Sequence, residues 1–165
     1  MADRKAAWVT ALAFFVVDQL TKWIVVGPLG LRAEHDQFKL LPIFDLTRVH
    51  NRGISLGMAQ ADSDLSRWLL VGGTAIIAGI VAWWITREKQ RGDQLALAMV
   101  LGGALGNIVD RIRFGYVVDF LDLHIGEWRP FLVFNVADAA ITIGVLLLLV
   151  RALLMRDGKA PKKEV

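Results

Sequence analysis

The sequence predicts an all-α integral membrane protein: four transmembrane helices with a small β-rich extracytoplasmic element between helices 1 and 2. Three observations lead there. Hydrophobic residues make up 55% of the 165 positions, above the roughly 45–50% usual in soluble domains. The mean hydropathy is +0.49. Four apolar stretches, at about 6–26, 68–86, 95–109 and 131–154, approach the length of about 20 residues that a bilayer span requires. The chain reads as one polytopic domain, 1–165.

The first stretch ends at Gly27-Pro28. Arg4 and Lys5 ahead of the apolar run from Ala6 to Val17 imitate a secretory signal peptide. No small-x-small cleavage site follows, and Asp18, Gln19 and Lys22 interrupt the run, so a retained helix is expected. The loop after it is patterned. Gln37–Leu40 and Phe44–Val49 alternate roughly as half-buried strands do, and Val117–Leu123 alternates less cleanly. A small sheet on the outer membrane face is expected. Residues Asp62–Trp68 read as a short interfacial helix, with Trp68 at headgroup level. The third stretch is short and carries Gly102, Gly103, Ala104 and Gly106, small residues that let helices approach closely.

Lysine and arginine placement sets the orientation. Arg4, Lys5, Arg87, Lys89, Arg91, Arg151, Arg156, Lys159, Lys162 and Lys163 fall on one side. The two longer loops hold eight basic residues over many more positions. Both termini and the 87–94 loop are therefore expected in the cytoplasm. The basic tail suits anionic lipid headgroups. Nucleic-acid binding is not expected, because no basic stripe is interleaved with aromatics. With no cysteine, thiolate metal sites, disulfides and cysteine nucleophiles are excluded.

Ionisable groups within spans are costly and usually face a partner or a wet site. Asp18 and Lys22 share one face of the outer half of helix 1. Asn107 and Asp110, with Arg111 next, end helix 3, and Asn135 and Asp138 lie near the outer start of helix 4. The topology thus brings three helices' polar groups to one level near the outer surface. Such a set of carboxylates, amides and cations can run aspartyl hydrolysis: one carboxyl keeps its proton while the other acts as base on water. Neither a metal nor another cofactor is expected. No HExxH is present, and His35, His50 and His124 read as solvated loop residues. Gly-x-Ser-Gly and Gly-x-Gly-Asp are absent, and Ser55 has no evident base. Asp110 and Asp119 both remain open as the partner of Asp138. Asp110, beside Arg111, reads as ion-paired and structural. A small transporter or membrane scaffold is the rival class, but the inner halves at Ala6–Val17 and Ile143–Val150 offer no polar path.

Five boxes in order resemble the lipoprotein signal peptidase family, signal peptidase II. They are Asp18-Gln19-Leu20-Thr21-Lys22 (DQxTK), Asn51 to Gly57 (NxGxA/S), Gly102 to Arg111 (GGAxGNxxDR), Val117-Val118-Asp119-Phe120 (VVDF) and Phe134 to Asp138 (FNxAD). The glycine box departs conservatively, with Ser55-Leu56 where many members have alanine and a bulky aromatic. The resemblance covers about residues 10–150. It implies removal of signal peptides from diacylglyceryl-modified bacterial prolipoproteins, cut just before the lipidated cysteine, at the cell (inner) membrane. It implies Asp119 and Asp138 as the catalytic pair, and sensitivity to globomycin-type inhibitors. Asn51 and Arg111 are expected to bond the substrate backbone, and Asn107 and Asn135 to orient the carboxylates. Asp18 and Lys22 are expected to pair with each other, with Gly53 allowing a close approach. The substrate's lipid chains are expected between helices, in contact with membrane lipid.

Overall fold

The computed structural model describes residues 4–53 and 64–157. Ser55 and Leu56, and the tail lysines Lys159, Lys162 and Lys163, lie outside them. The described residues form four helices: α1 (Arg4–Val26), α2 (Asp64–Arg87), α3 (Arg91–Phe114) and α4 (Val136–Asp157). Each is long and apolar enough to cross a membrane. At 1.5 Å per residue, α1, with 23 residues, spans about 34 Å. Trp8, Leu12, Ile76, Trp83, Leu146 and Leu153 stand exposed. In a bilayer such residues face lipid, so the helices show apolar surface outward and hold their polar groups within.

α3 is the axis of the bundle. In its most apolar stretch 56% of residues are buried, against 17% to 22% in the other three helices. Its glycines explain why. A Cβ on Gly102 would strike the Ala11 carbonyl of α1, one on Gly103 the Ala137 carbonyl of α4, and one on Gly106 the Asp18 carboxylate. Backbones this close leave room only for hydrogen, and α3 presents such a face to two helices at once. The α3 helix runs several residues beyond the expected 95–109 at both ends. Gly115, at φ 82, ends it by returning its N–H to the Arg111 carbonyl at 3.1 Å.

At the end of the bundle where α1 and α3 finish, three strands form an antiparallel sheet ordered β1 (Gln37–Leu41), β2 (Phe44–Asn51) and β3 (Val117–Leu123). The loop after α1 supplies two strands, and the return from α3 to α4 supplies the third. Leu46 lies opposite Leu121 while Val49 lies opposite Asp119, so β2 carries an extra residue between them. The bulge changes which β2 side chains face inward and sets Asn51 beside the start of β3.

Two expected helix limits differ. Residues 131–134 are apolar but not helical, because Phe134 pairs with β3: its N–H reaches the Leu121 carbonyl at 3.1 Å and its carbonyl accepts from Leu121 at 2.7 Å. Residues 64–68 form no separate interfacial helix; they are the first turn of α2 and its continuation. His50 and His124 are not simply solvated. His50 stacks on Tyr116 at 3.9 Å between ring centroids, and His124 lies 3.1 Å from the buried Asp45 carboxylate.

Candidate active site

The start of α4 fixes the first carboxylate. Asn135 is the N-cap, its side-chain oxygen accepting the Asp138 N–H at 2.9 Å. Asp138, three residues on, accepts the Asn135 N–H in return at 3.2 Å. This reciprocal pair is a capping box with an aspartate as its acid. The next unpaired donor of the helix, the Ala137 N–H, goes to Asp18 of α1 at 3.0 Å. The Asn107 amide of α3 donates to Asp138 at 2.8 Å. Asp138 is thereby held from two helices.

The second carboxylate comes from the sheet. Asp119 is 1% exposed. The amide of Asn135 donates to it at 2.6 Å, and Asn51 also hydrogen-bonds it. Asn51 can turn its amide that way because its oxygen is occupied by the Gly53 N–H at 2.9 Å. Gly53 holds φ at 84°, a conformation disfavoured by any Cβ, and a Cβ there would also sit 3.0 Å from Leu70. Burial, then the charge of Asp138, pushes the Asp119 carboxyl up to about 7; the hydrogen bonds from Asn51 and Asn135 and the more distant Lys22 oppose the rise.

Beneath the two carboxylates lies a buried ionic layer. The Lys22 ammonium is 2.8 Å from Asp18 and 2.8 Å from Asp110. Asp110 also accepts the Val118 N–H at 3.0 Å, a bond that fixes the backbone next to Asp119. The expected pairing of Asp110 with Arg111 is therefore replaced. Asp110 turns towards α1, while the Arg111 guanidinium lies within electrostatic reach of Asp138 and Asp119 and close to Gly53. Adjacent helical positions point about 100° apart, so the two residues serve different faces. The Arg111 Nε is buried without a hydrogen-bond partner among the described residues.

The ten residues singled out in the sequence thus form one continuous cluster. Gln19, to which the sequence alone assigns no role, belongs to it as well. Its amide bridges Asp110 at 3.0 Å and the Gly106 carbonyl at 3.3 Å. Its place inside the Asp18–Lys22 box was the available signal. Arg67 of α2 also joins, donating to the Arg111 carbonyl at 2.8 Å and to the Ile112 carbonyl.

A cavity of mixed character, about 460 Å³, opens beside Asp119; Glu34, His50, Asn51 and Arg52 line it together with Val49, Leu132 and Val133. An apolar one of about 380 Å³ lies beside Asp138, against Phe131, Phe134, Thr142 and Ile143. Together they give the two carboxylates one approach that carries charged and polar groups and one that is lipid-like.

Comparison with known proteins agrees with this architecture. Residues 10–154 match the family described as signal peptidase (SPase) II. The lipoprotein signal peptidase of Rhizorhabdus wittichii is 57% identical over 155 residues, covering 94% of this chain and 90% of that protein. Its counterpart in Sphingopyxis alaskensis is 58% identical, covering 93% and 89%. A solved structure described as a bacterial membrane enzyme superimposes with a TM-score of 0.80 at 28% identity, covering 98% of this chain and 95% of that one. A second such enzyme gives 0.76 at 29% identity, covering 90% and 93%. With nearly its whole length matched and relatives more than half identical, the chain belongs to the signal peptidase II family, the lipoprotein signal peptidases.

Proposed function

We propose that the protein is an intramembrane aspartyl endopeptidase that removes signal peptides from diacylglyceryl-modified prolipoproteins, with Asp119 and Asp138 as its catalytic pair. One observation carries the assignment of the pair: a single residue, Asn135, hydrogen-bonds both carboxylates, through its amide and its backbone N–H. Asp110 lacks that relation to Asp138 and is held by Lys22 and Gln19 instead.

The chemistry follows from the two environments. With its carboxyl pushed up to about 7, Asp119 keeps a proton in a large share of molecules at neutral pH and serves as the acid. Asp138 serves as the base. A water between them gives a proton to Asp138 as its oxygen attacks the scissile carbonyl, whose oxygen takes the proton of Asp119. The tetrahedral adduct then collapses. The C–N bond breaks as the proton held by Asp138 passes to the leaving amine of the cysteine, and one hydroxyl of the adduct returns a proton to Asp119, leaving a carboxylic acid. Arg111 and Asn51 hold the substrate backbone, and the unpartnered Arg111 Nε supports that role. Lys22, Asp18 and Asp110 fix the floor of the site. The diacylglyceryl chains lie in the apolar cavity beside Asp138, open to membrane lipid. A globomycin-type cyclic peptide would set a hydroxyl where the attacking water stands. The sheet and active site face outward from the cell membrane, with both termini in the cytoplasm.

The test is single-turnover cleavage of a diacylated prolipoprotein in detergent. Asp119→Asn and Asp138→Asn are nearly isosteric changes and should each lower the rate by about a thousandfold or more while the protein stays folded. The double variant should be little worse than either, since the two act as a unit. Asp110→Asn should lose stability but keep turnover. A folded, inactive Asp110→Asn beside an active Asp119→Asn would transfer the role to Asp110.

A further inference from the structure

A separate cavity of about 180 Å³ lies between the ends of α1 and α3 and the sheet. Lys22, Trp23, Arg48, Asp110, Arg113 and Phe114 line it; neither Asp119 nor Asp138 does. Its charge is unbalanced. Asp110 shares the Lys22 ammonium with Asp18, each at 2.8 Å. That leaves Arg48 and Arg113, neither of which has an ion-pair partner among the described residues.

Arg48 is the sharper anomaly. It is 7% exposed. One Nη donates to the Leu31 carbonyl at 3.0 Å and to the Arg32 carbonyl, and the other to the Tyr116 hydroxyl at 3.1 Å. These neutral partners leave its charge uncompensated, and its Nε is buried with no hydrogen-bond partner among the described residues. A permanent cation in that state costs stability unless an anion meets it. Arg113 stands exposed at the rim, its guanidinium 5.0 Å from the Phe114 ring.

The surroundings say what kind of anion. Trp23 is 63% exposed and Phe114 is 47% exposed, both at helix ends that meet the sheet. Aromatic residues there mark the membrane–water boundary. Arginine guanidinium groups match the oxygens of a phosphate and form charge-assisted hydrogen bonds to them. A prolipoprotein's diacylglyceryl group carries no phosphate, so the substrate does not supply this charge.

We propose that this cavity is a phospholipid headgroup site, in which Arg48 and Arg113 hold the phosphate and Trp23 and Phe114 flank the acyl chains. The site deepens the lipid contact proposed above and is independent of which carboxylates cleave. Its occupancy has a route to the chemistry: Asp110 lines the cavity and also holds the backbone N–H adjacent to Asp119.

Native mass spectrometry of the full chain in neutral detergent tests it, with dioleoylphosphatidylglycerol, dioleoylglycerol and inorganic phosphate as separate probes. One phosphatidylglycerol should be retained per chain at concentrations where dioleoylglycerol is not. Arg113→Gln should weaken retention by about tenfold, the effect of losing one charge-assisted contact. Arg48→Gln should do the same or more; because it also disturbs the sheet, Arg113→Gln decides the matter where Arg48→Gln misfolds. Cleavage in lipid-free detergent should be unchanged in Arg113→Gln, which separates this site from the catalytic one. Equal retention of the two lipids, or retention insensitive to Arg113→Gln, overturns the proposal. Displacement of the lipid by millimolar inorganic phosphate also overturns it, reassigning the site to a soluble anion.

Discussion

At the first turn of α4 the contact that ends a loop also sets a carboxylate: Asn135 and Asp138 exchange hydrogen bonds across the cap. The capping geometry confines Asp138, and the same Asn135 reaches Asp119 with its amide. Two carboxyl groups near each other and out of water cannot both ionise readily. That cost falls on Asp119, whose carboxyl rises from 3.8 to about 7. Between those values the folded protein holds a proton that the unfolded chain has released, so this group makes stability fall as pH rises through the window. Asp119→Asn cannot ionise and escapes the loss. Its stability relative to the parent should therefore grow by on the order of 2–4 kcal/mol from about pH 3 to about pH 8. Thermal unfolding in micelles across that range reads the difference, and a constant offset would show that the carboxyl is not strained by burial. The parent's single-turnover rate should fall above about pH 7, where Asp119 loses its proton.

Among the elements, α3 depends on having no side chain where it crosses its neighbours. Gly106→Ala would drive a methyl into the Asp18 carboxylate and separate α3 from α1. Overpacking of this kind costs about 1–3 kcal/mol, and here it also loosens the Lys22 pairs. Gly79 of α2 is the control, since a Cβ there meets nothing within 4 Å. Gly79→Ala should be neutral or stabilising by up to about 1 kcal/mol. Equal losses at both positions, measured by unfolding in micelles, would remove the argument from close approach. The helices and the level of the polar cluster were legible in the sequence because hydropathy and the spacing of Asp18, Lys22, Asn107, Asp110, Asn135 and Asp138 are properties of single helices. The partner of Asp110 was not legible. Adjacency suggested Arg111, whereas helical geometry turns neighbouring side chains apart and gives Asp110 to Lys22. The true start of α4 was hidden for a related reason: Phe134 is as apolar as a helix residue, and only its pairing with β3, remote in sequence, draws it out of the helix. Arg48, silent in the sequence, matters only because the fold buries it.

For the molecule as a whole, the sheet and the ends of α1 and α3 lie together, so the side of the membrane that holds the sheet also holds the carboxylates. The residues between α2 and α3 mark the opposite side, since one span separates them from the sheet, α2 on the way there and α3 on the way back. The basic residues gather on that opposite side, at Arg4, Lys5, Arg87, Lys89, Arg91 and Arg151, and basic loops are retained in the cytoplasm during insertion. The protein has no cysteine, so an introduced thiol reports alone. Lys89 is exposed between α2 and α3, and Glu127 is exposed on the sheet side. In right-side-out spheroplasts, Glu127→Cys should react with a membrane-impermeant maleimide and Lys89→Cys should react only after lysis. The reverse pattern would place the carboxylates at the cytoplasmic face. It would then put them out of reach of a cleavage site that has crossed the membrane, and the proposed substrate would have to be abandoned together with the orientation.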